Sequence, residues 1–219
     1  MGGKLIVFEG VEGGGKTTQI ERSRLWLLSN ACCDDVSRIA VTREPGGTEL
    51  GRGLRRLLLE PSRESICDRA ELLLYAADRA QHVENLIKPE LAKGSIILCD
   101  RFTDSTIAYQ GYGRGLSLSL IDQLNEIAAG GLQSDLTLWL DIDVEVGLRR
   151  AKSRGECDRI EQADLEFHRR VQQGFADLAA ANRDRIIRVD ANRNEDEVAQ
   201  EIQLILTQKL HAWGYIANC

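Results

Sequence analysis

The stretch that most constrains this chain is Gly10-Val11-Glu12-Gly13-Gly14-Gly15-Lys16-Thr17. An apolar run, Lys4 to Phe8, precedes it, and a helix-like segment, Thr18 to Asn30, follows. Strand, G-x-x-x-x-G-K-T and helix in that order mark a phosphate-binding loop. Glycines let backbone N–H groups turn inward around an anion, and the new helix points its positive end at the same place. Lys16 then serves the outer phosphates as a point charge, and Thr17 offers a hydroxyl to Mg²⁺. The bland alternative is a Gly-rich turn with a solvated lysine; both flanks and spacing speak against it.

Around this loop the sequence alternates. Strands are expected at Leu5–Phe8, Arg38–Thr42, Ser95–Cys99, Leu136–Leu140 and Arg185–Val189; Leu5–Phe8, apolar without alternation, and Ser95–Cys99 read as buried ones. Helices fall between them. In the first, Ile20, Leu27, Leu28 and Ala31 share the inner face. A long helix spans Asp68 to Leu91, with Leu72, Leu73, Ala76, Ala80, Val83 and Leu86 inward and Glu71, Tyr75, Arg79 and His82 on a second stripe. Gln110 to Gly115 reads as a glycine-rich loop. Asn194 with Glu197 forms a capping-box pattern before the last helix. The fold class is therefore α/β: a five-stranded, mostly parallel sheet flanked by helices, with ligands at the carboxyl ends of the strands. The loop, Arg43-Glu44-Pro45 and Asp100-Arg101 all follow strands, so they should converge. Residues 1–210 form one expected domain, and 211–219 is a tail without assignment.

Bulk properties exclude some partners. A net charge of −6 disfavours general binding to nucleic acid or a membrane surface. No apolar stretch reaches membrane-spanning length and no signal-peptide pattern opens the chain. The six cysteines contain no C-x-x-C and no zinc spacing, which fits reduced thiols and a cytoplasmic enzyme. Cys99, in an apolar run, reads as a core residue, as do Trp26, Trp139 and Trp213; His82, His168 and His211 read as structural or solvated.

Asp100 ends a strand and is placed to hold Mg²⁺ opposite Thr17, against a plainer reading as a turn cap. Arg101 suits a phosphate fork. Glu12 is an acid inside an anion-binding loop, which is unfavourable unless it has a task. Arg149, Arg150, Lys152, Arg154 and Arg159 form a basic run; such runs are usually solvated faces.

Six segments occur in order: the loop with Glu12 inside it, Arg43-Glu44-Pro45-Gly46-Gly47-Thr48, Tyr75-Ala76-Ala77-Asp78-Arg79, Asp100-Arg101-Phe102-Thr103-Asp104-Ser105, the run from Ala108 to Gly115, and Asp158-Arg159-Ile160-Glu161-Gln162. Together they resemble thymidylate kinases of the bacterial type, over roughly Lys4 to Leu210. The resemblance implies a P-loop kinase fold with a mobile basic lid at about 150–161, transfer of the ATP γ-phosphoryl group to dTMP, Mg²⁺ as cofactor and a homodimer. It further implies that Gly10 to Thr18 hold ATP phosphates and that Arg150 stacks on adenine, with Asn192 and Arg193 nearby. By the same resemblance Tyr75 stacks on thymine, Arg79 hydrogen-bonds the base and Arg101 takes the acceptor phosphate. Glu12 meets the sugar 3′-hydroxyl side, and Ser105, Thr106 and Tyr109 line the pocket, Tyr109 crowding a ribose 2′-hydroxyl. Arg43 belongs to the loop closing over the acceptor. Arg154 and Arg159 are the lid arginines expected at the transferring group, since Val11 to Gly14 supply no basic residue. A kinase for another deoxynucleoside or nucleotide stays open, as does a nucleotide-binding switch, although no N-K-x-D motif is present.

Overall fold

The computed structural model describes residues 2–30, 38–61, 65–153, 155 and 158–215. Five strands, β1 (Lys4–Glu9), β2 (Ile39–Arg43), β3 (Ile96–Asp100), β4 (Leu136–Asp141) and β5 (Ile186–Asp190), form one sheet in the order β2-β3-β1-β4-β5. Every pairing is parallel. Parallel strands need crossovers, and the helices supply them on both faces. The unalternating apolar character of β1 follows: Leu5 and Val7 join a core with Ile97, Val83 and Phe102, while Ile6 and Phe8 join another with Leu98, Leu138 and Ile202.

The helices are α1 (Lys16–Asn30), α2 (Glu49–Leu59), α3 (Asp68–His82), α4 (Lys88–Ala92), α5 (Thr103–Thr106), α6 (Leu118–Ala129), α7 (Val144–Lys152), α8 (Leu165–Ala181) and α9 (Glu195–Ala212). The capping box at Asn194 and Glu197 forms as expected. Cys99 and Trp139 are core residues, and Trp26 and Trp213 pack against the core. His82 and His168 are buried. Cys32, Cys33, Cys157, Cys219 and Ala31 lie outside the described residues.

Four expectations need correction. Leu28 is 51% exposed, because Ile20 and Leu27 already fill the inner face of α1. On α3, Leu73 is 56% exposed, whereas Glu71, Arg79 and His82 are buried. That helix turns its polar stripe inward because it borders a polar chamber and not a greasy core. The long helix is also not uniform: a π-helical turn at Val83–Ile87 separates α3 from α4. Gln110 to Gly113 is not a loop, since Ile107–Gly113 is π-helical and continues α5; the turn begins only at Arg114. Gly113 is small for packing: a Cβ there would stand 2.7 Å from the Phe167 ring of α8. In the tail, α9 reaches Ala212 and the buried Tyr215 donates its hydroxyl to the Gly2 carbonyl at 2.7 Å.

Candidate active site

β1 and β3 are neighbours and β2 flanks β3, so their carboxyl ends meet. Arg43 stands opposite Asp100 and Asp100 opposite Phe8 in the register. The convergence expected of the three post-strand segments is realised. A chamber opens there, walled by Glu12 to Thr18, Arg43 to Pro45, Tyr75, Arg79, Asp100 to Phe102, Ser105, Thr106 and Tyr109.

The loop between β1 and α1 is held by backbone contact with α7. Gly13 has φ +73°, and a Cβ there would fall 2.0 Å from the Gly147 carbonyl oxygen. Only glycine on both sides permits this approach. Lys16 begins α1 and curls back, its Nζ donating to the carbonyls of Gly10 (3.0 Å) and Val11 (3.1 Å). Burial and the Arg101 charge lower its pKa. Gly10 and Val11 thus stand behind the wall as acceptors for the lysine.

Arg101 is the centre of the site. It is a non-glycine residue with φ +70°, a sparsely populated conformation for a side chain with a Cβ. Its guanidinium donates to Glu12 Oε1 at 2.6 Å, to the Gly10 carbonyl at 3.0 Å and to Ser105 Oγ at 3.2 Å, and lies 4.8 Å from the Tyr109 ring. Tyr109 donates its hydroxyl to the same Glu12 oxygen at 2.8 Å. Burial opposes ionisation of Glu12, but Arg101, Lys16 and Tyr109 outweigh it and hold its pKa at about 2. The acid within the anion loop is therefore neutralised locally, which answers the like-charge difficulty posed by the sequence.

Beyond Arg101 the chamber becomes an aromatic and hydrogen-bonding pocket. Tyr75 borders it, its hydroxyl pKa raised by burial and by Glu71. Arg79 lies at the floor, only 2% exposed. Its Nε reaches Glu44 at 2.9 Å, its Nη1 reaches Asn125 at 2.6 Å and its Nη2 the Phe102 carbonyl at 3.0 Å. Glu44 also binds His82 at 2.8 Å, and His82 meets Thr42 at 2.6 Å. This buried network fixes the loop after β2 to α3.

The basic run divides. Arg154 lies outside the described residues. Arg159 is not in the chamber wall: it binds Glu71 and the Leu58 carbonyl, while its neighbours Asp158, Ile160 and Glu161 do border the chamber. Glu71 also accepts from Gln110 at 3.0 Å and Arg114 at 3.2 Å. Arg150 donates to the Ala191 carbonyl at 3.3 Å, beside Asn192, which accepts from the Asp143 amide at 3.0 Å.

Three site residues escaped the sequence reading. Glu9, fully buried, holds the Phe102 and Ser105 amides. Burial pushes its carboxyl up to about 7 against the opposing pull of Arg101. Arg55 reaches the chamber from α2, its pKa lowered by burial and by Arg43. Glu71 gathers two arginines. An acid ending an apolar strand, as Glu9 does, is a readable signal; Arg55 and Glu71 sit in helices where charge is ordinary.

A phosphate loop facing a half-buried arginine at the carboxyl end of a parallel sheet, with an aromatic pocket behind, defines a P-loop phosphoryl transferase with donor and acceptor halves. The family model described as thymidylate kinase matches residues 8–202. A thymidylate kinase of Trichodesmium erythraeum is 62% identical, with 98% of this chain and 99% of that protein covered. One of Nostoc punctiforme is also 62% identical at the same coverage. A crystal structure of thymidylate kinase from Ehrlichia chaffeensis superposes with a TM-score of 0.77 at 35% identity, covering 94% of this chain and all of that one. This chain belongs to the thymidylate kinase family.

Proposed function

We propose a division of labour for the chamber of this enzyme, which phosphorylates dTMP to dTDP with ATP as the phosphoryl donor. Glu12 to Thr18 cradle the ATP phosphates, with Lys16 on the outer ones and Gly10 and Val11 behind it. Arg101 grips the acceptor phosphate, and Tyr75 and Arg79 receive the thymine. Glu12 serves the sugar side, with Ser105, Thr106 and Tyr109 lining the pocket and Arg43 in the loop over it. An acceptor phosphate oxygen attacks the γ-phosphorus, the bond to the β–γ bridging oxygen breaks, and ADP leaves. Positioning and charge neutralisation supply most of the catalysis in such transfers. The observation that carries this reading is the bridge from Arg101 to Glu12, which joins the donor loop to the acceptor pocket.

Thr17 and Asp100 are our candidates for Mg²⁺. The fit rests on Asp100 Oδ1, buried with no hydrogen-bond partner among the described residues, at the chamber wall beside the loop. The ion would neutralise charge on the donor phosphates. We assign the stretch 150–161 as a lid that delivers Arg154 or Arg159 to the transferring group and Arg150 to adenine. In support, Asp158, Ile160 and Glu161 already border the chamber. We further propose a homodimer: Leu50, Leu57, Leu73 and Ile127 are exposed on the adjacent helices α2, α3 and α6. We also propose a cytoplasmic location; no described helix is long and apolar enough to cross a membrane. A coupled ADP-release assay over a panel of nucleoside monophosphates tests the acceptor. Turnover should be fastest with dTMP; another monophosphate turned over much faster would refute it.

A further inference from the structure

We propose that Glu9 is a positioning residue that sets Arg101 for the acceptor phosphate by clamping the turn from Arg101 to Ser105. The proposal rests on the reading of Arg101 given above. Glu9 is the last residue of β1 and has no exposed surface. Its Oε1 accepts from the amides of Phe102 at 2.8 Å and Ser105 at 3.1 Å, and its Oε2 from Ser105 Oγ at 2.5 Å. Arg101 lies immediately before this grip. Its own amide donates to the Phe8 carbonyl at 3.0 Å, and its guanidinium to the Gly10 carbonyl at 3.0 Å. Three consecutive residues thus hold Arg101 by backbone, turn and side chain. The positive φ of Arg101 persists only because its surroundings over-determine it.

The carboxylate does something that an amide of the same shape cannot. Ser105 has one hydroxyl hydrogen, and Glu9 takes it. The Ser105 oxygen is left to accept from Arg101 Nη1 at 3.2 Å. Glutamine would present an NH₂ group where Ser105 now donates, and the polarity of this chain would reverse. A buried carboxylate is costly and packing alone would not require one. Three donors converge on it, and their common product is the orientation of one arginine.

The test measures equilibrium binding of dTMP and of thymidine at pH 8, where Glu9 is ionised, to the wild type, Glu9→Gln, Arg101→Ala and the double variant. Thymidine lacks the phosphate, so it reports the rest of the pocket. Glu9→Gln should weaken dTMP about tenfold or more, the scale of a charge-assisted hydrogen bond, and leave thymidine within about twofold. In the Arg101→Ala background the substitution should add nothing. An equal loss for both ligands, or the same loss without Arg101, overturns the proposal. If Arg101→Ala binds dTMP normally, the acceptor-phosphate reading fails and the proposal falls with it. Should Glu9→Gln not fold, Ser105→Ala carries the test. It breaks only the hydroxyl link, and must give a dTMP-selective loss of about threefold that disappears without Arg101.

Discussion

Glu12→Gln is predicted to destabilise the protein in a pH-dependent way. The Glu12 pKa is held at about 2, against an ordinary value of 4.5. A depressed carboxylate pKa means that the native state prefers the ionised form. Its stabilisation is therefore present above the unfolded-state value and is lost as pH falls toward the folded one. At about 1.4 kcal/mol per unit, the stabilisation is roughly 3 kcal/mol at neutral pH and about half that near pH 3. The Glu12 side chain is 18% exposed, so the neutral value is a ceiling. Glutamine mimics the protonated carboxyl and keeps a group beside the Tyr109 hydroxyl, but leaves the Arg101 guanidinium without its counter-charge. Urea unfolding of wild type and Glu12→Gln at a series of pH values measures the difference. It should be largest near neutrality and shrink steadily below about pH 4.5. A difference that is the same at pH 7 and pH 3, or none at pH 7, would refute the coupling of this bridge to stability.

Glu9 should behave with the opposite sign. Its pKa is raised to about 7, so between 4.5 and 7 the native state holds the proton more tightly and stability falls as pH rises. Glu9→Gln should flatten that slope in unfolding experiments at pH 5 to 8 even as it weakens dTMP. Lys16→Ala should abolish turnover in the ADP-release assay with little change in Tm, since Lys16 Nζ bonds only two loop carbonyls. Glu44→Ala should cost about 3–5 kcal/mol in urea unfolding, because it strands Arg79 and His82 in a buried network. Leu57→Glu, at a residue 61% exposed, should shift sedimentation toward monomer while leaving Tm of the monomer nearly unchanged.

Legibility of the sequence followed the physics of each segment. The strands were readable because a doubly covered parallel sheet demands unbroken apolar runs, and Leu5 to Phe8 have no other use. The loop was readable because its spacing has one mechanical purpose. On helix α3 hydrophobicity is a poor guide to burial. Its inner face borders the chamber, so Glu71, Arg79 and His82 go in and Leu73 stays out. Glycine misled at 111–113, where the residues admit the side chains of α6 and α8 and do not break a helix. Arg55 was unreadable because it meets Arg43 only after α2 folds back over Gly46.

The partners of the cations in and beside the chamber limit how a phosphate can enter. Lys16 is held by carbonyls, Arg101 by Glu12, Arg79 by Glu44 and Arg159 by Glu71. A phosphate must therefore compete with these groups, and the cost depends on what each leaves behind. Glu12 would retain the Tyr109 hydroxyl if Arg101 turned to a phosphate. Glu71 would retain Arg114 and Gln110 if Arg159 left. Glu44 would keep only His82 if Arg79 left, with a buried charge then poorly matched. Arg101 and Arg159 are thus the arginines able to exchange partners, and Arg79 is the one that stays. The same ordering agrees with the roles proposed above, Arg101 for a phosphate and Arg79 for the uncharged base.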